Sequence, residues 1–168
     1  MPKMTEPKEL LKHELGDLLY AERRFVTATK RMAAETKDPA MKQRIEQHLE
    51  ETNGHIKRLE QVFESIGETA KAEKCDAAIG LREEHDSFKS EEKPSPEILE
   101  AFDLGSGLRV EHYEIAAYTT AIAVARALGE TEAVSLLQEN LAEEEEMAKF
   151  LVDNAGQALG RLFTAAEA

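Results

Sequence analysis

Glutamates set inside apolar helical stripes constrain this chain more than any other feature. In the segment Val110-Glu111-His112-Tyr113-Glu114-Ile115, Glu111 and Glu114 are three residues apart and share a helix face. Leu104, Gly107, Val110, Ala117, Tyr118, Ala121, Ala125 and Leu128 recur around them at i, i+3, i+4 and i+7 spacing. At about 100° per residue, Glu114 falls near the centre of that stripe. A buried carboxylate is costly unless it is paired, protonated or bound to a metal. Three more segments carry a similar anomaly, so the fold must bring the acids to something that answers them.

The periodicity predicts four long helices. Helix A spans about 8–35, starting at Thr5 or Glu6 before Pro7, with Leu11, Leu15, Leu18, Leu19, Phe25, Val26, Thr29 and Ala33 inward and Glu22 at the stripe's centre. Helix B spans about 39–66, with Asp38 as N-cap and Gly67 as C-cap. Its stripe is Met41, Ile45, Leu49, Ile56, Leu59, Phe63 and Ile66. His48, Thr52 and His55 fall within or beside that stripe, Glu51 flanks it, and Glu50 points outward. A weaker pattern predicts a short helix over about 70–88, with Cys75, Ala78, Ile79 and Leu81 inward. A polar, Pro-bearing linker follows, from Lys89 to Pro96.

Helix C spans about 96–128, capped by Ser95 and stopped by Gly129. Gly105 and Gly107 inside it permit close helix approach or mark a kink. Helix D spans about 130–163, with Ala133, Leu137, Leu141, Ala148, Leu151, Ala155, Ala158 and Leu162 inward. Glu144 sits at the centre of its stripe and Glu143 at the flank; the tail from Thr164 should fray. Hairpin AB and hairpin CD place their acids at comparable depth. The reading is an all-α, pseudo-symmetric four-helix bundle, one domain over 1–168, whose long crossover carries the short extra helix.

Composition narrows the function classes. The formal net charge of −13 argues against nucleic acid, which requires a basic footprint, and against anionic membrane surfaces. No run of about 18 apolar residues suggests a membrane span. The first residues lack the apolar core of a signal peptide. Cys75 is the only cysteine, which rules out an internal disulfide and suits a reducing cytoplasm.

Carboxylate-rich bundle cores are one way to hold two iron or manganese ions, ideally with one Glu from each of two helices and Glu-x-x-His from each of the other two. Helices A and C supply Glu22 and Glu114, with Glu111 one turn before the latter. Helix B departs from the ideal, reading Thr52-x-x-His55, and helix D reads Glu144-x-x-Met147. In B, His48 and Glu51 are three apart and offer the same two donor types in reverse order. In D, Glu143 or Glu144 serves, with Glu146 one turn away. A single stripe glutamate is more often solvated or paired with Lys or Arg. Inward bases are scarce here, however, because Arg23, Arg24, Lys30, Arg58 and Arg109 all fall off the stripes. His48 lies nearer the stripe's centre than His55 and pairs with Glu51; the spacing leaves both open as ligands. His112 points outward, and Cys75 reads as core.

These residues carry a resemblance. His48-Leu49-Glu50-Glu51-Thr52-x-Gly54, Val110-Glu111-His112-Tyr113-Glu114-Ile115-Ala116 and the Leu136-Leu137…Leu141-x-Glu143-Glu144 segment resemble the YciE/YciF stress-response proteins of bacteria, in the ferritin-like superfamily. The resemblance extends from helix A to helix D. It implies a ferritin-like bundle, a dinuclear metal centre like that of rubrerythrin, and a homodimer. The ligands it carries over are Glu22, Glu51, Glu111, Glu114 and Glu144, with His48 as the imidazole and Glu143 and His55 as further candidates. The implied cofactor is a pair of iron ions, or manganese, and the implied reaction partner a small oxidant such as peroxide or O2. An interaction bundle without catalysis is the other class these residues allow.

Overall fold

Each long helix starts at a local signal. Pro7, Pro39 and Pro96 occupy first-turn positions, where the missing N–H costs nothing. The Glu9 carboxylate accepts from the Glu6 backbone N–H at 3.3 Å. Asp38 accepts from the backbone N–H groups of Ala40 and Met41 at 3.0 and 2.9 Å, and Ser95 accepts from that of Ile98 at 3.4 Å. Gly129, at φ 78°, stops the fourth long run in the left-handed conformation that glycine alone adopts without strain. The resulting helices are α1 (Pro7–Glu35), α2 (Pro39–Ser65), α3 (Asp76–Glu91), α4 (Pro96–Leu128) and α5 (Thr131–Ala165). They come from a computed structural model that describes residues 4–165, without the side chains of residue 158 and of residues 161–165.

Four of the helices form a square. α1 packs on α2 and α4, and α5 packs on α2 and α4, while the backbones of the diagonal pairs stay apart and meet only through side chains at the centre. Direction follows from which residues share a layer. One apolar layer joins Leu11, Leu15 and Leu19 of α1 to Leu59 and Phe63 of α2, Tyr118 and Ile122 of α4, and Leu137 of α5. The other joins Ala33, Ile45, Met147 and Leu151, with Leu108 against them. Thus α1 and α5 run one way and α2 and α4 the other, so every neighbouring pair is antiparallel. Two tight hairpins and one long connection between the parallel α2 and α4 give the four-helix bundle that the patterning predicts, in the ferritin-like arrangement that the resemblance implies. α3 lies outside the square, against α1 and α4. Gly107 is where α4 comes close to α5: an added Cβ would sit 3.4 Å from Leu151 Cδ1.

Three expectations need adjustment. The short helix was expected over about 70–88 but begins at Asp76, with Cys75 as its cap, and extends to Glu91. The stretch before it instead runs along α1, where the Glu73 backbone N–H donates to the Gly16 carbonyl at 3.0 Å. Thr164 and Ala165, expected to fray, are helical. The inward side chains expected at Ala158 and Leu162, and the tail beyond Ala165, lie outside the described residues. Several expected stripe residues, among them Val26, Thr29, Met41, Leu49, Ile56, Ile79, Leu81 and Leu141, are half-buried flanks of the core.

Candidate metal centre

Between the two apolar layers lies a polar one. Glu22 from α1, His48 and His55 from α2, Glu111 and Glu114 from α4, and Glu144 from α5 are all buried there, each no more than 4% exposed. Helical spacing explains the convergence. Glu22 follows Leu18 and Leu19 on the inward stripe of α1, and His48 and His55 are seven apart, two turns on one face of α2.

Two ligand groups form within this layer. Glu22, His55 and Glu144 place ligand atoms within 4.8 Å of one another, and so do His48, Glu111 and Glu144. Glu144 belongs to both. Its Oε1 lies 3.0 Å from His55 Nδ1 and its Oε2 3.5 Å from His48 Nε2. Glu22 Oε1 is 3.3 Å from the same His55 nitrogen, and Glu111 Oε2 is 3.5 Å from the same His48 nitrogen. One carboxylate therefore has an oxygen for each of two positions. Glu114 stands in neither group, but it is buried close enough to feel the charges of Glu144, Glu22 and Glu111.

Each histidine is backed by a carboxylate. His48 Nδ1 lies 3.2 Å from Glu51 Oε2, and His55 Nε2 lies 2.8 Å from Glu143 Oε2. Burial pushes the Glu51 carboxyl up, but hydrogen bonds from His48, Arg44 and Gln47 outweigh it and hold the group at about 2. An ionised carboxylate only accepts, so His48 Nδ1 is the donor in this contact and Nε2 faces the centre. Glu51, expected as a ligand, thus stands behind His48 rather than inside either group, with Arg44 at 2.9 Å and Gln47 at 2.7 Å. Glu143 stands likewise behind His55 and takes the Arg58 guanidinium. His55 faces the centre as fully as His48 does. Glu146 and His112 are exposed.

The centre has acceptors without donors. Glu22 Oε2, Glu111 Oε2, Glu114 Oε1 and both oxygens of Glu144 are buried without a well-formed hydrogen bond among the described residues. No Lys or Arg pairs directly with Glu22, Glu111, Glu114 or Glu144 there; Arg44 and Arg58 serve the outer carboxylates. In the metal-free protein, protons fill the gap. Burial, and then the charge of Glu144, pushes Glu111 and Glu114 well above the usual carboxylate range. Burial opposes the His55 imidazolium, but the charges of Glu22 and Glu144, 3.3 and 3.0 Å from its Nδ1, raise it to about 10. Four carboxyl groups and two imidazoles aimed inward are, once their protons are released, the donors that first-row divalent cations take.

Several supporting residues were not singled out from the sequence. The Tyr118 hydroxyl donates to Glu22 and accepts from Asn140 Nδ2 at 2.9 Å, and Arg58 donates to Asn140. A signal existed: Asn140 lies three after Leu137 and four before Glu144, on the inward face, where an amide needs partners. Tyr118 reads from its spacing only as core. Thr52, standing where a glutamate completes the ideal motif, turns its hydroxyl back to the His48 carbonyl at 2.8 Å. Met147, in place of a histidine, joins the apolar layer.

Comparison with known proteins agrees with the fold. The sequence profile of the domain of unknown function DUF892 matches residues 6–162. Protein YciF of Escherichia coli K12 is 38% identical over 143 residues, which cover 84% of this chain and 85% of that protein. The crystal structure of the E. coli stress protein YciF superposes with a TM-score of 0.86 at 35% identity, covering 94% of this chain and 99% of that one. YcfI from Rhodopseudomonas palustris, suggested to be a structural protein, superposes with a TM-score of 0.84 at 36% identity over 89% of this chain and 94% of its own.

Proposed function

The chain belongs to the DUF892 family, and on that premise we propose that it is a stress-related protein that binds two iron or manganese ions in the polar layer of its bundle. The observation that carries this reading is Glu144, whose two buried oxygens face two separate histidine–carboxylate groups. Glu22 and His55 would hold one ion, and His48 and Glu111 the other, with Glu144 between them and Glu114 within reach. Four carboxylates carry the charge that two divalent cations neutralise, which removes the desolvation cost of leaving them ionised.

Two such ions would supply reversible one-electron change and an open position for peroxide or O2. The chain's own contribution is to fix the ligands. Glu51 and Glu143 select the histidine nitrogens that face inward, and Tyr118 with Asn140 orients Glu22. The apolar layers above and below exclude bulk water. Dimer formation and a cytoplasmic location belong to the same proposal; native mass checks the first. No helix among the described residues is long and apolar enough to cross a membrane.

A second reading rests on the same layer without metal. His55 between Glu22 and Glu144 is a self-neutralising arrangement, which suits an interaction bundle with no turnover. Anomalous scattering at the iron and manganese edges, from crystals grown without chelator, separates the two. Two peaks flanking Glu144 are expected; an empty layer in protein supplied with both metals favours the second.

A further inference from the structure

One cavity reaches the centre from outside. It is about 70 Å³ in volume, and its walls are Phe25, Met32, Ile45, Val110, Met147 and Leu151. Its inner end is formed by His48 and Glu111, and at its outer end stand Arg31, Arg82, His85 and Asp103. The inner pair is 4% exposed, and Glu111 Oε2 there has no hydrogen-bond partner among the described residues.

The chemistry of this chamber limits what it takes. Charged groups at the mouth are consumed by one another: Arg31 pairs with Asp86 at 2.7 Å, Arg82 with Asp86 at 3.4 Å, His85 with Asp103 at 2.7 Å, and Glu35 with Lys89 at 2.6 Å. None of these charges is left over to hold an ion. The walls beyond offer mainly carbon and thioether sulfur, with Thr29 and Ser106 the uncharged polar side chains among them, so a solute with several hydrogen-bonding groups loses most of its partners on entry. Size is the other limit. A dry cavity of about 150 Å³ takes benzene or xenon, and this one is about half as large. A second cavity of about 140 Å³ shares Met32, Ile45 and Leu151 but reaches neither His48 nor Glu111, so the smaller chamber sets the limit beside the centre.

We propose that this chamber is a binding site for an uncharged, apolar molecule of diatomic size, of the class of dioxygen or nitric oxide, held beside His48 and Glu111. The proposal refines the metal reading and rests on it for the purpose of delivery. Of the two oxidants considered there it favours O2, because walls that are mainly carbon give peroxide fewer hydrogen bonds than it gives up in water.

The test has two independent readouts. Xenon pressurisation of metal-free crystals of the full chain should place a xenon atom between Ile45, Val110 and Met147. Ala28→Leu, which adds bulk to a wall residue that is no candidate ligand, should remove it; Ser106→Val serves the same purpose should the first variant not fold. In protein loaded anaerobically with ferrous iron, the blocked variant should bind nitric oxide at least tenfold more slowly, with the iron content unchanged. Absence of xenon from the parent chamber overturns the proposal. So does nitric oxide binding at the parent rate in a variant shown to exclude xenon. If the parent takes up no iron, the metal reading fails, and xenon occupancy alone still decides what the chamber holds.

Discussion

The part each glutamate plays is set by where its oxygens point. Glu144 faces both ligand groups, whereas Glu51 faces a histidine from behind. The two should therefore respond differently to removal of one oxygen's charge. Glu144→Gln keeps the side chain's shape but gives up one acceptor oxygen, so we expect loss of metal from both positions, measured as metal per chain by inductively coupled plasma mass spectrometry. Glu51→Gln should keep the metal count and weaken affinity about 10–100-fold, as removing the partner of a ligating histidine does elsewhere; competition with a chelator measures it. If Glu51→Gln instead abolishes one ion while Glu144→Gln leaves both, the roles are reversed. The inward acids were legible in the sequence because helical periodicity reports the radial direction of a side chain. Which oxygen faces which group and which partner stands behind each imidazole were not, because those depend on side-chain torsions. His55 shows the difference: its angle on the wheel placed it at the border, yet Glu143 and Arg58 draw it into full burial.

At the scale of elements, helix limits were legible wherever a local cap fixes them, as at Asp38, Ser95 and Gly129. The crossover was not, because its course is set by a tertiary contact. Gly16 lets the stretch before α3 lie against α1; a Cβ there would stand 2.7 Å from Glu73 Cγ and 3.1 Å from the Lys71 carbonyl oxygen. A side chain could move away, but the carbonyl belongs to the backbone that also donates to Gly16 through Glu73. Gly16→Val should therefore destabilise the fold by about 1–3 kcal/mol through overpacking, read as a lower urea midpoint. An unchanged midpoint would mean that the crossover is free to shift.

For the whole molecule, the polar layer couples folding to protons and to metal. Without metal, the folded chain holds protons that the unfolded chain releases. His55 keeps its proton to about 10 against an ordinary 6.5, and Glu111 and Glu114 keep theirs well above 4.5. More protons are bound in the folded state, so stability must fall as pH rises. The loss should begin above the ordinary carboxylate value and continue until His55 titrates. At the acid end Glu51, held at about 2, contributes stability present above 4.5 and lost as pH falls through 2. The urea midpoint of chelator-treated protein should accordingly decline from about pH 5 to about pH 9; a steady rise over that range would mean that the layer is ionised or open to solvent. Metal binding should release these protons and so strengthen with pH. The most direct measurement is anaerobic titration of metal-free protein with ferrous iron or manganese, followed by thermal unfolding. Saturation at two ions per chain is expected, with a rise in Tm equivalent to about 2.7 kcal/mol per site at a hundredfold excess over Kd. Both effects should vanish in Glu144→Gln. No uptake and an unmoved Tm with either metal would contradict the account at its centre.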